Sequence, residues 1–414
     1  MLCICTNAKF LKTRKLYRIL NKYLYLKQKN HEKDNVKYPP LLPYAYIEFN
    51  TSISNPANIT ASKDRSILDV ILSKFRRCLC KKTNEGKVTI AYLDDSNSNF
   101  YEDGSPAILT GEEGDVMVYF PEFWYKGETT SKGYRFNFAL EQIDSTWKHA
   151  PASLVGAYKA YIYSEKLYSR SNVESTGNIT MAEFGSCARA RGAGYHIIDY
   201  QQHCIIAWMF YAKYLTRNSQ AVCGTGKGDY TGLNCGSTNT LGITDTTATN
   251  ATSNSSLHVN FLGIEGCWGY KCEWIEGIHT HYKDNKVNVY DKGDYHNQAF
   301  SNIVSPTKRQ FDTFNSGNYI KKIQAGEYMD MLASNILGGL SSTYFCDYGG
   351  SFSSSSYIFY RSCERDSTYG GVSYLVGSKP SASATYDYVG SRLAFDGTIT
   401  VASSVSVFKS LDVL

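Results

Sequence analysis

Four short runs between residues 44 and 148 alternate apolar and polar positions or run apolar between turn residues: AYIEF at 45–49, VTIAYL at 88–93, VMVYF at 116–120 and YRFNF at 134–138. Text of period two predicts strands. One short helix is compatible with residues 67–81, so residues 41–150 predict a small, β-rich N-terminal domain. A second domain is expected over residues 151–414. It opens on a strand at 155–163 and continues with two helices, at 180–191 and 199–215. In the second helix Cys204, Trp208, Tyr211 and Leu215, with Ile205, Met209 and Ala212, make an apolar stripe wide enough to face a core, and Asp199 is a suitable N-cap. Residues 223–257 form a Gly/Thr/Ser/Asn-rich stretch too long for a simple connection. Short strands and turns follow. The predicted class is α+β.

Charge is distributed unevenly. Residues 1–40 hold ten Lys or Arg and two acids, a net of +8, so the remainder carries +5 − 8 = −3. A body so near neutrality is a poor binder of phosphate backbones, and nucleic acid is not an expected partner. The leader places Leu16, Ile19, Leu20, Tyr23 and Leu24 at helical spacing before Pro39, Pro40 and Pro43, and is read as a solvated arm, disordered or helical. Twelve scattered cysteines do not form a disulfide framework and are read as reduced thiols. No secretory signal and no run of 18 apolar residues is seen, so no membrane span is expected.

From Tyr344 to Ser391 the text changes again. Eight Tyr, twelve Ser and six Gly stand against five Ile, Val or Leu, a composition suited to recognition by rigid amphipathic rings and adaptable hydrogen bonds. Elsewhere, the string LGIEGCWGYKCEWIEG at 262–277 reads as a packed turn-and-strand core with Trp268 and Trp274 buried. Cys267, Cys272, His279 and His281 lack zinc-site spacing, GTGKGD at 224–229 lacks the ending of a phosphate loop, and no nucleophile elbow occurs. No catalytic residue, metal site or cofactor is assigned.

The run LGIEGCWGYKCEWIEGI resembles the LGIE-x-x-WGN-x-x-EW-x-x-G signature of phage and prophage proteins with a C-type-lectin-like domain, a fold related to the formylglycine-generating enzymes. Further matching strings are DVMV at 115–118, PEF at 121–123, ARARG at 188–192, DYQ at 199–201, WMFY at 208–211, NSQ at 218–220, Arg361-Ser362, GGV at 370–372 and GSRLAF at 390–395. The similarity spans roughly residues 44–410. The chain departs at Cys272, where enzyme-like relatives carry an aromatic or apolar residue, and in its basic leader.

The resemblance implies a C-type-lectin-like ligand-binding domain whose C-terminal segment, residues 344–395, is the variable surface. In some relatives a diversity-generating retroelement rewrites that segment. It also implies a receptor-binding or host-tropism protein of a phage tail, carried on the virion and made in the bacterial cytoplasm. Its partners would be a host cell-surface protein or glycan, other tail proteins and further copies of itself, a trimer being favoured. The alternatives are a structural virion or surface adhesin protein, and an oxidase relative. With GGV and GSRLAF as framework, the ligand contacts are expected at Glu364, Asp366, Tyr369, Tyr374, Lys379, Ser381, Ser383, Tyr386, Asp387 and Tyr388. If residues 381–388 are a strand, their alternation places Ser381, Ser383, Thr385 and Asp387 on one face and Ala382, Ala384, Tyr386 and Tyr388 on the other.

Overall fold

The computed structural model describes residues 42–227, 232–281, 286–290, 308–352, 357–362, 369–379 and 384–412, so the basic leader lies outside the described residues. The class is α+β, with 13% of residues helical and 37% in strands.

The predicted N-terminal strands divide between two sheets. Ala45–Asn50, Gly133–Ala139, Phe123–Thr129 and Lys148–Ala150 form one antiparallel sheet, with Ile59–Ala61 at its edge. Period two buries Ala45, Ile47 and Phe49 on one face, where the Phe49 ring meets Phe136 edge-on at 4.9 Å. The second sheet has seven strands in the order Tyr195–Ile197, Leu393–Phe395, Ser153–Gly156, Asp115–Phe120, Arg76–Asn84, Lys87–Tyr92 and Thr398–Val401. It draws strands from both sides of residue 150. The expected boundary there is corrected: it would cut one sheet and one hydrophobic core.

Two element predictions also change. The helix expected at 67–81 is confined to Ser66–Leu72, and Arg76–Asn84 is a strand. Cys78 and Cys80 enter one core while Leu79 enters the other, an alternation no helix provides. The strand expected at 155–163 ends at Gly156, because Tyr158 N then donates to Ser169 Oγ and Lys159 turns inward; Tyr161–Tyr163 pairs separately with Lys166–Tyr168.

Both predicted helices form, and both start in capping boxes: Thr180 with Glu183 for Met181–Arg189, and Asp199 with Gln202 for Tyr200–Tyr214. The second helix is buried almost around its whole circumference, not on a stripe alone. Aromatic neighbours on several sides explain this. Trp208 lies 4.9 Å from Tyr125, Phe210 lies 5.9 Å from Trp268, and Tyr211 lies 6.2 Å from Phe345. No helix among the described residues is long and apolar enough to cross a membrane.

A third, mixed sheet runs Lys308–Asp312, Lys286–Tyr290, Cys272–His281, Tyr357–Arg361, Leu375–Lys379, Tyr348–Ser351 and Ser316–Tyr319; Val389–Gly390 runs parallel beside Cys272 and Glu273. This sheet separates two cores. Phe359, Leu375, Ile278 and Val287 pack with the buried helix, whereas Trp274, Ile358, Tyr360 and Val376 pack into a second cluster.

Because the seven-stranded sheet is assembled from the whole chain, residues 42–150 expressed alone keep only three of its seven strands. We expect this fragment to show no cooperative thermal transition by circular dichroism, whereas the full chain melts sharply. A sigmoidal melt of the fragment would restore the boundary at 150.

Candidate ligand-binding surface

The site is built outward from one buried carboxylate. Glu273 opens the strand Cys272–His281 and is fully buried. Its Oε1 accepts from Lys159 Nζ at 2.8 Å and Arg392 Nη2 at 2.7 Å, and its Oε2 from Arg361 Nη1 at 2.5 Å. Burial alone would raise this carboxyl group, but Arg392, Lys159 and Arg361 outweigh it and hold it far below the usual carboxylate range. The remaining donors are also used. Arg392 reaches the carbonyls of Gly156 and Glu265, and Arg361 donates to His203 Nδ1 at 3.1 Å. Burial and the neighbouring Arg361 push His203 well below its ordinary value, so a neutral ring supplies that acceptor.

Around this centre the C-terminal segment threads through the fold as framework. Leu393, Ala394 and Phe395 are fully buried, as the GSRLAF reading expected, and so are Trp268 and Trp274. The GGV turn is clamped by the helix Ser219–Cys223: Val372 N donates to Ser219 Oγ at 3.0 Å, and Gln220 Nε2 donates to Gly370 O. Ser373 N donates to Asp347 Oδ2 at 2.8 Å. A Cβ on Gly371 would stand 2.2 Å from Asp347 Oδ1, so only glycine fits this approach. Burial pushes the Asp347 carboxyl up to about 8, against the Ser373 hydrogen bonds.

Over the second core lies a layer of partly exposed aromatic rings: Tyr348, Phe352, Tyr369, Tyr386 and Tyr388. Tyr369 packs 5.0 Å from Tyr348 and 5.7 Å from Tyr319. Tyr386 packs 5.3 Å from Tyr388 and 6.2 Å from the buried Trp274, which in turn meets Tyr360 at 5.9 Å. The rings are packed against the core on one side and partly exposed, so few rotors remain to be frozen on contact with a partner.

Of the expected contacts, Tyr369, Tyr386 and Tyr388 are partly exposed on this layer and Asp387 is exposed beside them. Tyr374 is corrected: it is fully buried, packed 6.0 Å from Tyr360, because the clamped GGV turn directs the following residue into the second core. Glu364, Asp366, Ser381 and Ser383 lie outside the described residues, as does the side chain of Lys379. Within residues 384–388 no strand forms; Val389 N returns to Tyr386 O at 3.2 Å in a turn. Sequence reasoning missed Tyr319, which carries no local signal, and left Tyr348 and Phe352 out of the contact set although they lie in the Tyr-rich segment. It also missed the Glu273 cluster, whose signal was present: charged residues set inside strings such as CEWI and SRLAF need buried partners. In comparisons with known proteins, no family model and no curated protein matches this chain.

Two outcomes follow. Glu273→Gln leaves three cations without their shared carboxylate and is expected to cost roughly 3–5 kcal/mol in urea unfolding; an unchanged midpoint would remove the cluster from its structural role. Asp347 binds a proton in the folded chain that the unfolded chain releases near 3.8, so its contribution is full below pH 4 and is lost as pH rises through about 8. Wild type should therefore lose stability relative to Asp347→Asn across that window, by up to about 1.4 kcal/mol per pH unit. Parallel pH profiles would contradict this.

Proposed function

We propose that this chain is a receptor-binding protein of a phage tail, presenting a tyrosine-rich recognition surface on a C-type-lectin-like scaffold. The observation that carries the reading is that four tyrosines of the C-terminal segment pack, partly exposed, against one buried cluster. Tyr348, Tyr369, Tyr386 and Tyr388 all rest on the second core, half-exposed, on framework fixed by Glu273, Arg361 and Arg392. The strings behind the resemblance also meet in pairs across the fold. Arg191 of ARARG pairs with Asp115 of DVMV at 2.7 Å, and Ser219 and Gln220 of NSQ hold the GGV turn. Glu273 of the LGIE run gathers Arg361 and Arg392. Strings that matter only in combination are expected to touch, and this supports a shared scaffold.

The partner is a host cell-surface protein or glycan, and the working form is a homo-oligomer, favoured as a trimer. Contacts that are weak singly gain strength when several copies engage one cell. No catalytic role is assigned. A second reading, in which the same tyrosines pack between subunits of a structural virion protein, is separated by the same experiment.

The test is the triple variant Tyr369→Ala/Tyr386→Ala/Tyr388→Ala, assayed for binding to a panel of intact bacterial cells, with Phe100→Ala as the control in the loop after the strand Lys87–Tyr92, where Phe100 is 40% exposed. Truncating a central interface Tyr costs ~2 kcal/mol or more, so cell binding should fall at least tenfold with the thermal midpoint nearly unchanged. Normal cell binding by the triple variant would overturn the proposal. Dissociation of the oligomer would favour the subunit-packing reading.

A further inference from the structure

On the edge of the seven-stranded sheet, away from the tyrosine layer, three side chains from separate elements converge. His196 lies in the strand Tyr195–Ile197, Asp199 caps the buried helix, and Asp396 follows the strand Leu393–Phe395. One donor atom from each lies within 4.8 Å of the other two. His196 and Asp199 are buried, and Asp396 is 23% exposed at the side chain.

The tautomer of His196 makes this cluster informative. Its Nδ1 sits 2.8 Å from Ile197 O, and a carbonyl oxygen only accepts, so Nδ1 carries the hydrogen. Nε2 faces Asp396 Oδ2 at 3.2 Å, a contact closed by a proton in the metal-free chain and open to a divalent ion that displaces that proton. An imidazole whose far nitrogen is fixed by a backbone carbonyl is the arrangement that orients a metal-ligating histidine. Asp199 is likewise held rigidly, its Oδ1 accepting from Gln202 N at 2.7 Å.

We propose that His196, Asp199 and Asp396 form a divalent metal site of the zinc type, with one nitrogen and two carboxylate donors. Three protein ligands leave a coordination position open. A cavity of about 670 Å³ lies against the cluster, lined by His196 and Asp396 together with Gly192, Gly194, Gly397 and Arg189. Arg189 pairs with Glu276 at 2.8 Å and stands where it can also receive an anionic group of a metal-bound ligand. Two carboxylates and a neutral imidazole balance the charge of a divalent ion, so water, a neutral fourth ligand, fits the open position. This site is independent of the tyrosine surface and does not rest on its function.

The experiment is titration of the chelator-treated full chain with zinc chloride by isothermal calorimetry, and with cobalt chloride by absorption spectroscopy. We expect one equivalent of zinc, a raised thermal midpoint, and a cobalt spectrum without a thiolate charge-transfer band. Asp396→Asn, chosen because Asp396 is partly exposed, should leave the apo chain folded with a cooperative melt and weaken zinc at least tenfold; His196→Ala should abolish binding. Absence of stoichiometric binding would show that a proton alone holds the cluster. A cobalt–thiolate band, or equal affinity in wild type and Asp396→Asn, would place the metal elsewhere; each of these outcomes overturns the proposal.

Discussion

A single carboxylate, Glu273, sits out of contact with water among Lys159, Arg361 and Arg392, and the architecture depends on that meeting. Removing such charges from water is expensive, and their attraction offsets the cost only when every hydrogen-bonding position is filled. Here the filling comes from distant parts of the chain. Lys159 follows a strand of the seven-stranded sheet, Arg361 ends a strand of the mixed sheet, and Arg392 precedes Leu393–Phe395, which returns to the seven-stranded sheet. The cluster therefore specifies how the two larger sheets meet. No apolar contact would be as selective about register.

With the sheets fixed in this way, the mixed sheet has two different faces. One is closed by the buried helix Tyr200–Tyr214 and contributes to the main core. The other supports Trp274, Tyr360 and Tyr374, over which the half-exposed tyrosines lie. Because the rings stand on framework that is already rigid, substitutions among the exposed groups need not propagate inward. A surface of that kind can change its ligand while keeping its fold.

How much of this was legible in the sequence depended on range. Local signals were read correctly where the deciding interaction is local: the N-cap at Asp199, the helix start near Thr180, and the alternation in 45–49 and 116–120. The strand Arg76–Asn84 was misread as helix because its two faces enter different cores and charged Arg77 and Lys81 are buried with them, so polarity does not mark the period. The boundary at 150 failed for a related reason: Leu393–Phe395 and Thr398–Val401 join the early sheet from the far end of the chain, and no local text announces a return of that length. On the candidate surface, composition could not separate Tyr374, which is fully buried, from Tyr369 and Tyr388, which are partly exposed.

The central claim is that one face of the mixed sheet is the recognition surface, and footprinting tests it most directly. Tyrosine nitration of the full chain, quantified residue by residue by mass spectrometry, would be compared with and without envelope preparations from a panel of bacteria. The account predicts that Tyr348, Tyr369, Tyr386 and Tyr388 lose reactivity together with one of these preparations, while Tyr46 and Tyr134 on the first antiparallel sheet remain unchanged. Unchanged nitration of those four residues with protection of Tyr46 and Tyr134 would place the surface elsewhere and contradict the account.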